Sequence, residues 1–422
     1  MIKDLIKRFL PPILVNWYHL SLALLGAILY GFPSRKMIII GVTGTKGKST
    51  VVELCHQIFQ EAGYKVASIS SIRLKINNKE TQNLLKMTMP GRFKIQSFFK
   101  QALLSGCKYV ILEVTSEGIL QNRHKFVNFD MAVFTNLSPE HIERHGSFKN
   151  YQLAKGELFK IVKKIHIVNL DDENTAFFLQ FPAEKKWGYS TKISNKFLNS
   201  EFQTVTANNI EKLESGTSFS VNDIKIKLNI CGEFNVHNAL AAICIGLSQN
   251  ISLEISKSAL EKISGIKGRM EIVVEKPFKV VVDYAHTPDA LQKVYEFFYG
   301  KSKLICVLGS AGGGRDKWKR PKMGEIAAKY CDEIIITNED PYEEEPIEII
   351  NQVSFGAGEK VKKILDRREA IKEALKKANP GDTVVITGKG CEPWMCISQG
   401  RKIPWNEVKI VKEELQKIEK QQ

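Results

Sequence analysis

The sequence predicts an α/β protein with two units: a P-loop central domain on a mostly parallel sheet, and a smaller Rossmann-like α/β C-terminal domain. Three observations predict it. Short runs of β-branched residues alternate with helical patterns along most of the 422-residue chain, the order that buries a parallel sheet between helices. A glycine-rich loop stands between the first such run and a helical stretch, which is the context a phosphate-binding loop requires. Near Gly265 and Gly268 the alternation resets and begins again.

In chain order, residues 1–36 form an apolar and basic helical segment. Its stretch 13–32, ILVNWYHLSLALLGAILYGF, is long enough to span a bilayer. Asn16, His19 and Ser21 interrupt it, Lys3, Lys7 and Arg8 precede it, and no small-residue cleavage site argues for a secretory signal. Two readings stay open: a helix lying in the membrane interface with Trp17 and Tyr18 at headgroup level, or a helix packed on the protein body. The central domain, 37–264, opens on the strand MIIIGV, and the helical stretch VVELCHQIFQEAGY ends at Gly63. Buried strands follow at 109–114 (YVILEV), 131–137 (MAVFTNL) and 164–170 (KIHIVNL). Polar and apolar residues alternate over 200–230, which predicts antiparallel hairpin strands before a helix at 238–249. The C-terminal domain, 265–422, brings VVVDY (280–284), LICVLGS (304–310), EIIIT (333–337) and TVVITG (383–388).

The net charge of +15 favours anionic ligands such as nucleotides, phosphates or membrane surfaces, although much of it is scattered lysine on a solvated surface. No basic block interleaved with aromatics points to nucleic acid. The eight cysteines form no C-x-x-C pair. Cys244 and Cys306 lie in apolar runs and read as small buried hydrophobes, which fits a reduced, cytoplasmic compartment.

The loop reads Gly41-Val42-Thr43-Gly44-Thr45-Lys46-Gly47-Lys48-Ser49-Thr50. Its backbone N–H groups and the following helix N-terminus suit phosphates, Lys48 can reach the outer phosphates, and Ser49 can ligate Mg²⁺. Val42 stands where the general motif has its first glycine. The variant TGTKGKST resembles the loop of the Mur ligases, and the resemblance continues from about residue 37 along the whole chain. GEFNVHNALAA (232–242), GRMEIV (268–273), VVDYAHTPDAL (281–291), GSAGGGRDKWKRPKMGEIA (309–327), ITNEDP (336–341) and ITGKGCE (386–392) are similar to successive family segments. Within the family the chain looks most like the ligases that add the third residue to UDP-N-acetylmuramoyl-dipeptide.

The resemblance implies roles. Glu113 ends a buried strand, where a carboxylate faces the ligand crevice, and it is similar to the family's Mg²⁺-binding glutamate. His141 matches a metal-associated histidine, as a Mg²⁺ ligand or phosphate neighbour. His145 shares its helix face and reads as structural, since no third zinc ligand is evident. Lys155 looks like the lysine that the family carbamylates, which turns a cation that would repel Mg²⁺ into an anion that can bind it. Asn238, Arg269 and Asp283 match nucleotide-contacting positions, with Asp283 on the ribose and His286 near the phosphates. Asn235 is equally a helix cap. Thr88, Thr115, Ser116 and Arg123 match segments that hold the muramoyl peptide, and Glu117 replaces the usual histidine. Asp340 and Glu392 fall in segments that gather the incoming amino acid. The sequence Glu339-Asp340-Pro341-Tyr342 stands where diaminopimelate-adding relatives carry Asp-Asn-Pro-Arg. The arginine for a second carboxylate is therefore missing, and Glu343, Glu344 and Glu345 suit a terminal ammonium. This favours a diamino acid held by its amine, such as lysine, over diaminopimelate.

The implied reaction uses ATP and Mg²⁺. A carboxylate of a muramoyl-peptide-like acceptor becomes an acyl-phosphate, and the amine of a free amino acid then displaces phosphate. The P-loop begins near residue 41, which leaves no room for the family's separate N-terminal uridine-gripping domain. Folate polyglutamate ligases lack that domain too and are the alternative enzyme. A non-catalytic subunit or an amidotransferase partner is the alternative of another class, against which Glu113, His141 and Lys155 argue. The expected location is cytoplasmic, peripheral at the inner membrane face through residues 13–32.

Overall fold

The computed structural model describes residues 11–85, 87–140, 142–192, 197, 202–213, 216–358 and 361–420. The apolar N-terminal stretch forms the helix Pro12–Tyr30. Proline suits its first turn, where the N–H has no intrahelical partner, and Gly31 at φ 72° ends it. The N–H groups of Gly31 and Phe32 then satisfy the carbonyls of Ile28 and Ala27. One narrow stripe, His19, Ala23 and Ala27, is buried, and Gly26 lies against Phe93 of the helix Arg92–Leu104. Small side chains permit that approach. The other faces remain apolar and bare, with Ile13, Trp17, Tyr18, Leu25, Ile28 and Leu29 each more than half exposed. The helix is thus packed on the body, but along a single stripe.

The central unit is built on strands β1 (Ile38–Thr43), β2 (Val66–Ile69), β3 (Arg73–Ile76), β4 (Lys79–Gln82), β5 (Tyr109–Glu113), β6 (Met131–Phe134), β7 (Ile165–Asn169), β8 (Lys185–Ser190) and β9 (Gln203–Thr206). Their order is β4-β3-β2-β5-β1-β6-β7-β8-β9, and only the β2–β3 and β3–β4 pairs are antiparallel. Alternation along β1 sends Ile40 and Val42 into one apolar core and Ile39 into the other, so both faces are covered. Strand β1 lies between β5 and β6, the switch point at which the crevice for ligands opens. Strands β10 (Asn208–Leu213), β11 (Gly216–Val221) and β12 (Ile224–Leu228) form the expected antiparallel set.

The second sheet contains β13 (Glu271–Val274), β14 (Lys279–Val282), β15 (Leu304–Leu308), β16 (Glu333–Thr337), β17 (Val361–Ile364) and β18 (Thr383–Ile386). Its order is β13-β14-β18-β15-β16-β17, with β13 antiparallel. The four interior strands are the ones the sequence predicts. The edge strands β13 and β17 are only half-buried: β17 sets two lysines between its apolar ends, and the three apolar residues of β13 are flanked by Glu271 and Glu275. A hairpin of β19 (Trp394–Cys396) and β20 (Lys402–Pro404) follows. One expectation is corrected: Cys306 is not a lone buried thiol but is disulfide-bonded to Cys331. The helix Lys319–Tyr330 returns the chain so that Cys331 lies beside β15, with the two Cα atoms 6.1 Å apart. Cys244 is a free buried cysteine as expected.

Candidate active site

Gly44 and Gly47 shape the phosphate loop. A Cβ on Gly44 would lie 1.9 Å from Thr135 Oγ1, and one on Gly47 would lie 2.2 Å from Asn238 Oδ1. Gly47 also sits at φ 82°, where side chains are disfavoured. Asn136 clamps the loop from the end of β6: its carbonyl accepts from the Thr45 N–H at 2.8 Å and its Oδ1 from the Lys46 N–H at 2.9 Å. Those two N–H groups are therefore occupied. The anion site is left to the N-terminus of the helix Lys48–Glu61 and to Lys48 itself, a narrower cradle than the sequence suggests. Lys48 Nζ donates to the carbonyls of Gly44 and Thr45, both at 2.8 Å. Burial pushes its pKa down, opposed by the charges of Glu113 and Glu140.

Register pairs Val42 with Glu113, so the carboxylate at the end of β5 stands beside the loop. Glu113 Oε1 accepts from the Ser71 N–H at 2.6 Å, and Ser71 Oγ is 2.7 Å from Ser49 Oγ. One carboxylate and one hydroxyl next to a phosphate cradle are hard oxygen donors of the kind Mg²⁺ takes, with phosphates and water completing the shell. Among the described residues no group of three His, Cys, Asp or Glu gathers at one point. His141 lies outside the described residues. His145 is buried and shares a hydrogen bond with Ser116 Oγ at 3.1 Å, a structural placement. Lys155, on the helix Phe148–Ile161, is buried beneath the loop and donates to the Gly44 carbonyl at 2.7 Å. Burial, then the charge of Lys48, holds its pKa well below the usual lysine range.

A single cavity of about 600 Å³ connects this phosphate end with the other predicted groups. Thr45, Lys46, Gly47, Lys48, Ser49, Thr50 and Glu113 line it from the loop side. Thr88, Thr115, Ser116 and Arg123 line a second side, and Asp340 and Glu392 line a third. Asn238, Arg269, Asp283 and His286 also face it. Asn235 does not cap its helix: it follows Glu233 and Phe234, and its Nδ2 donates to the Cys231 carbonyl at 2.7 Å. The Asp283 carboxylate accepts from the Met270 and Ala285 N–H groups at 2.7 and 2.6 Å, so backbone donors fix it.

The second sheet is folded over the first at this cavity. Arg269 stacks 4.3 Å from the Tyr284 ring and reaches Ser71 Oγ at 3.5 Å. His286 Nε2 lies 3.3 Å from Glu140 Oε1, and burial lowers its pKa to about 4. Lys389 is buried and donates to Asp340 Oδ1 at 3.0 Å and Glu392 Oε2 at 2.6 Å. One expectation fails here. Glu344 is paired with Arg320 and Lys317, Glu343 accepts from the Gln399 N–H, and none of Glu343, Glu344 and Glu345 lines the cavity. Beside Asp340, Glu339 also lines it and is buried with Oε2 lacking a hydrogen-bond partner. The sequence names Glu339 only as part of the segment 336–341, without a role, and it does not mark Ser71, Asn136 or Glu140, whose contacts are with residues distant in the chain.

A P-loop fold whose cavity joins a phosphate cradle to cationic and carboxylate-lined ends defines a nucleotide-dependent group-transfer enzyme. The family model described as "Mur ligase middle domain" matches residues 42–246, and that described as "Mur ligase, glutamate ligase domain" matches residues 268–390. The UDP-N-acetylmuramoyl-L-alanyl-D-glutamate--2,6-diaminopimelate ligase of Syntrophomonas wolfei is 37% identical over 389 residues, covering 89% of this chain and 78% of that one. A solved structure of a ligase of the same name has a TM-score of 0.61 at 28% identity, covering 91% of this chain and 79% of that one. Folylpolyglutamate synthase of Mycobacterium tuberculosis shares the fold, with a TM-score of 0.71 at 16% identity over 92% of this chain and 94% of that one. The chain belongs to the Mur ligase family.

Proposed function

We propose that the chain is an ATP-dependent amide-forming ligase of peptidoglycan precursor synthesis, adding a diamino acid to a UDP-N-acetylmuramoyl-dipeptide-like acceptor. The observation that carries this reading is the one cavity in which the phosphate loop, Arg123, and the Glu339–Asp340–Glu392 side converge. The acceptor carboxylate attacks the γ-phosphate of ATP, giving an acyl-phosphate and ADP. The amine attacks the acyl carbon, phosphate leaves, and the amine proton is released. Lys48 and the helix N-terminus neutralise the phosphates, and Arg123 pairs with acceptor carboxylate. Mg²⁺ at Ser49 and Glu113 would supply further positive charge to the phosphate oxygens. Asn238, Arg269 and Asp283 are assigned to the nucleotide, and His141 to the metal or a phosphate.

Lys155 is assigned as a carbamate: its neutral amine adds CO₂ and loses a proton. The buried position beside Lys48 supports this, because desolvation favours the uncharged, nucleophilic amine. For the incoming amino acid, the buried Glu339 carboxylate favours an ammonium, and the resemblance puts Tyr342 where diaminopimelate-adding relatives carry the arginine for a second carboxylate. Lysine therefore remains favoured over diaminopimelate on the site's own chemistry, although the relatives' names specify diaminopimelate. The division at residues 36/37 and 264/265 belongs to the same reading, as does a cytoplasmic protein held at the inner membrane face by residues 13–32. The folate polyglutamate alternative rests on likeness of fold alone.

The test is ADP release with acceptor and amino acid present. Lys48→Ala and Glu113→Ala are expected to abolish it while circular dichroism stays that of the parent. Parent-level turnover in both variants would overturn the assignment. Competition between lysine and diaminopimelate reads the amino acid directly, and a clear kcat/KM preference for diaminopimelate would reverse the choice made here.

A further inference from the structure

We infer that Lys319 is a catalytic residue: its ammonium, supplied from the side of the second sheet, holds the phosphoryl group as it passes from ATP to the acceptor carboxylate. This rests on the ligase reading above and adds a residue to its machinery. The first observation is a buried cation without a counter-ion of its own. Lys319 opens the helix Lys319–Tyr330, is 5% exposed and lines the cavity. Its Nζ donates to the His286 carbonyl at 3.0 Å. Among the described residues no carboxylate is bonded to it. An ammonium has three donors, and burying it costs more than one neutral carbonyl returns. Such a group in a cavity wall favours an anion that arrives with its own charge and several acceptor oxygens.

The second observation places that cation at the phosphate end of the cavity. The ring of His286, whose carbonyl Lys319 holds, has its Nε2 3.3 Å from Glu140 Oε1. Glu140 Oε2 in turn accepts from Lys46 Nζ of the phosphate loop at 3.1 Å. A continuous chain of contacts therefore runs from the loop to Lys319. Of the charges that act on Lys319, Glu140 and Lys46 outweigh Glu339 on the amino-acid side. Burial lowers its pKa and Glu140 opposes the shift, as the charge of an arriving phosphate would further. The third observation is a shortage of donors on the loop side. The Thr45 and Lys46 N–H groups are occupied by Asn136, and Lys48 Nζ donates to the carbonyls of both Gly44 and Thr45. A phosphoryl group in transit spreads its charge over three equatorial oxygens. Lys319 lines the same cavity from the facing side and supplies donors that the loop has already used. In the step it serves, the bond from the carboxylate oxygen to phosphorus forms, the bond from phosphorus to the ADP oxygen breaks, and ADP leaves with that electron pair. Lys319 transfers no proton; it neutralises the oxygens of the moving group.

ADP release is measured for the parent, Lys319→Met and Lys319→Arg with Mg²⁺, UDP-N-acetylmuramoyl dipeptide and the amino acid that the parent turns over, lysine or diaminopimelate. Binding of ADP alone, and of ADP with tetrafluoroaluminate as a planar stand-in for the phosphoryl group in transit, is measured by calorimetry with the acceptor present. Lys319→Met is expected to lower kcat about a hundredfold or more, with KM for the amino acid and affinity for ADP close to the parent's. Its affinity for ADP with tetrafluoroaluminate falls by about the same factor of a hundred, because that complex alone resembles the transition state. Lys319→Arg, which keeps the charge, regains part of both. Parent-level kcat in Lys319→Met overturns the inference. So does a loss confined to KM for the amino acid, which would give Lys319 to that substrate's carboxylate. So does an equal fall in affinity for ADP with and without tetrafluoroaluminate, which would make Lys319 a support of the fold. Each of these leaves the ligase reading standing. A parent that releases no ADP with this acceptor and either amino acid overturns the ligase reading and this role with it.

Discussion

Lys155 shows how much a single residue's surroundings add to its sequence context. In the sequence it is one lysine of many on a helical pattern, marked only by a motif. In the fold it is buried, bonded to the Gly44 carbonyl and next to Lys48, where a charged amine is doubly unfavourable. Lys155→Ala is expected to be inactive, and enzyme depleted of CO₂ is expected to regain activity with bicarbonate. A ¹³C carbamate resonance after labelled bicarbonate, absent from Lys155→Ala, checks the assignment. Burial has a second consequence at His56, which is fully buried with its pKa lowered to about 3. The folded state holds this ring neutral, whereas the unfolded chain protonates it near pH 6.5. Its contribution to stability is therefore present above about pH 6.5 and is lost as pH falls towards 3. Urea midpoints of His56→Leu and the parent should differ in slope, with the variant losing less stability between pH 7 and pH 5. Equal slopes would show that His56 does not carry the acid sensitivity. The loop residues were legible because eight consecutive positions carry them. Ser71 and Glu140 were not, because their roles arise from contacts with Glu113, His286 and Lys46 far away in the chain.

At the scale of elements, burial decided what the sequence disclosed. Strands β1, β5, β15 and β18 are buried on both faces and read as continuous apolar runs. Of the edge strands, β17 carries no such run, and the short one of the half-buried β13, Ile272–Val274, sits between two glutamates. The acidic run Glu343–Glu345 misled for a related reason. Its side chains are directed by the turn before the helix Pro346–Ala357, and cations at Arg320 and Lys317 claim Glu344. A run of charge reports composition, not direction. Caps are more local and hence testable one at a time. Asn406 caps the helix Glu407–Glu419, its side chain accepting from the Lys409 N–H at 2.9 Å. That helix supplies Glu407, the buried partner of Arg367. Asn406→Ala is expected to cost about 1 kcal/mol in chemical denaturation, with ATP turnover per folded molecule unchanged. A loss of turnover out of proportion to stability would mean that the Arg367–Glu407 pair reaches the cavity.

At the scale of the whole molecule, the question is how an acyl-phosphate survives long enough to meet an amine. Each sheet supplies part of the cavity, and neither closes it alone. The closing contacts fall on two sides. Near the nucleotide end, Glu140 meets His286, and the Glu143 N–H donates to Asp316 at 3.1 Å. On the opposite side, Gln82 donates to the Cys391 carbonyl at 3.3 Å, and Trp394 Nε1 donates to the Leu84 carbonyl at 3.2 Å. These latter bonds join the segment before Thr88 to the residues on either side of Glu392. They hold the two reacting ends of the cavity together without touching the phosphate loop. Weakening them should therefore leave the first step intact and expose its product to water. Trp394→Ala and Gln82→Ala together are expected to keep ADP release near the parent rate while amide formation falls. The ratio of ADP released to product formed, measured by chromatography of one quenched reaction, should rise well above the parent's value near one. If instead ADP and product fall in parallel and their ratio stays at one, the contacts serve acyl-phosphate formation itself, and protection of the intermediate lies with the Glu140–His286 side of the closure.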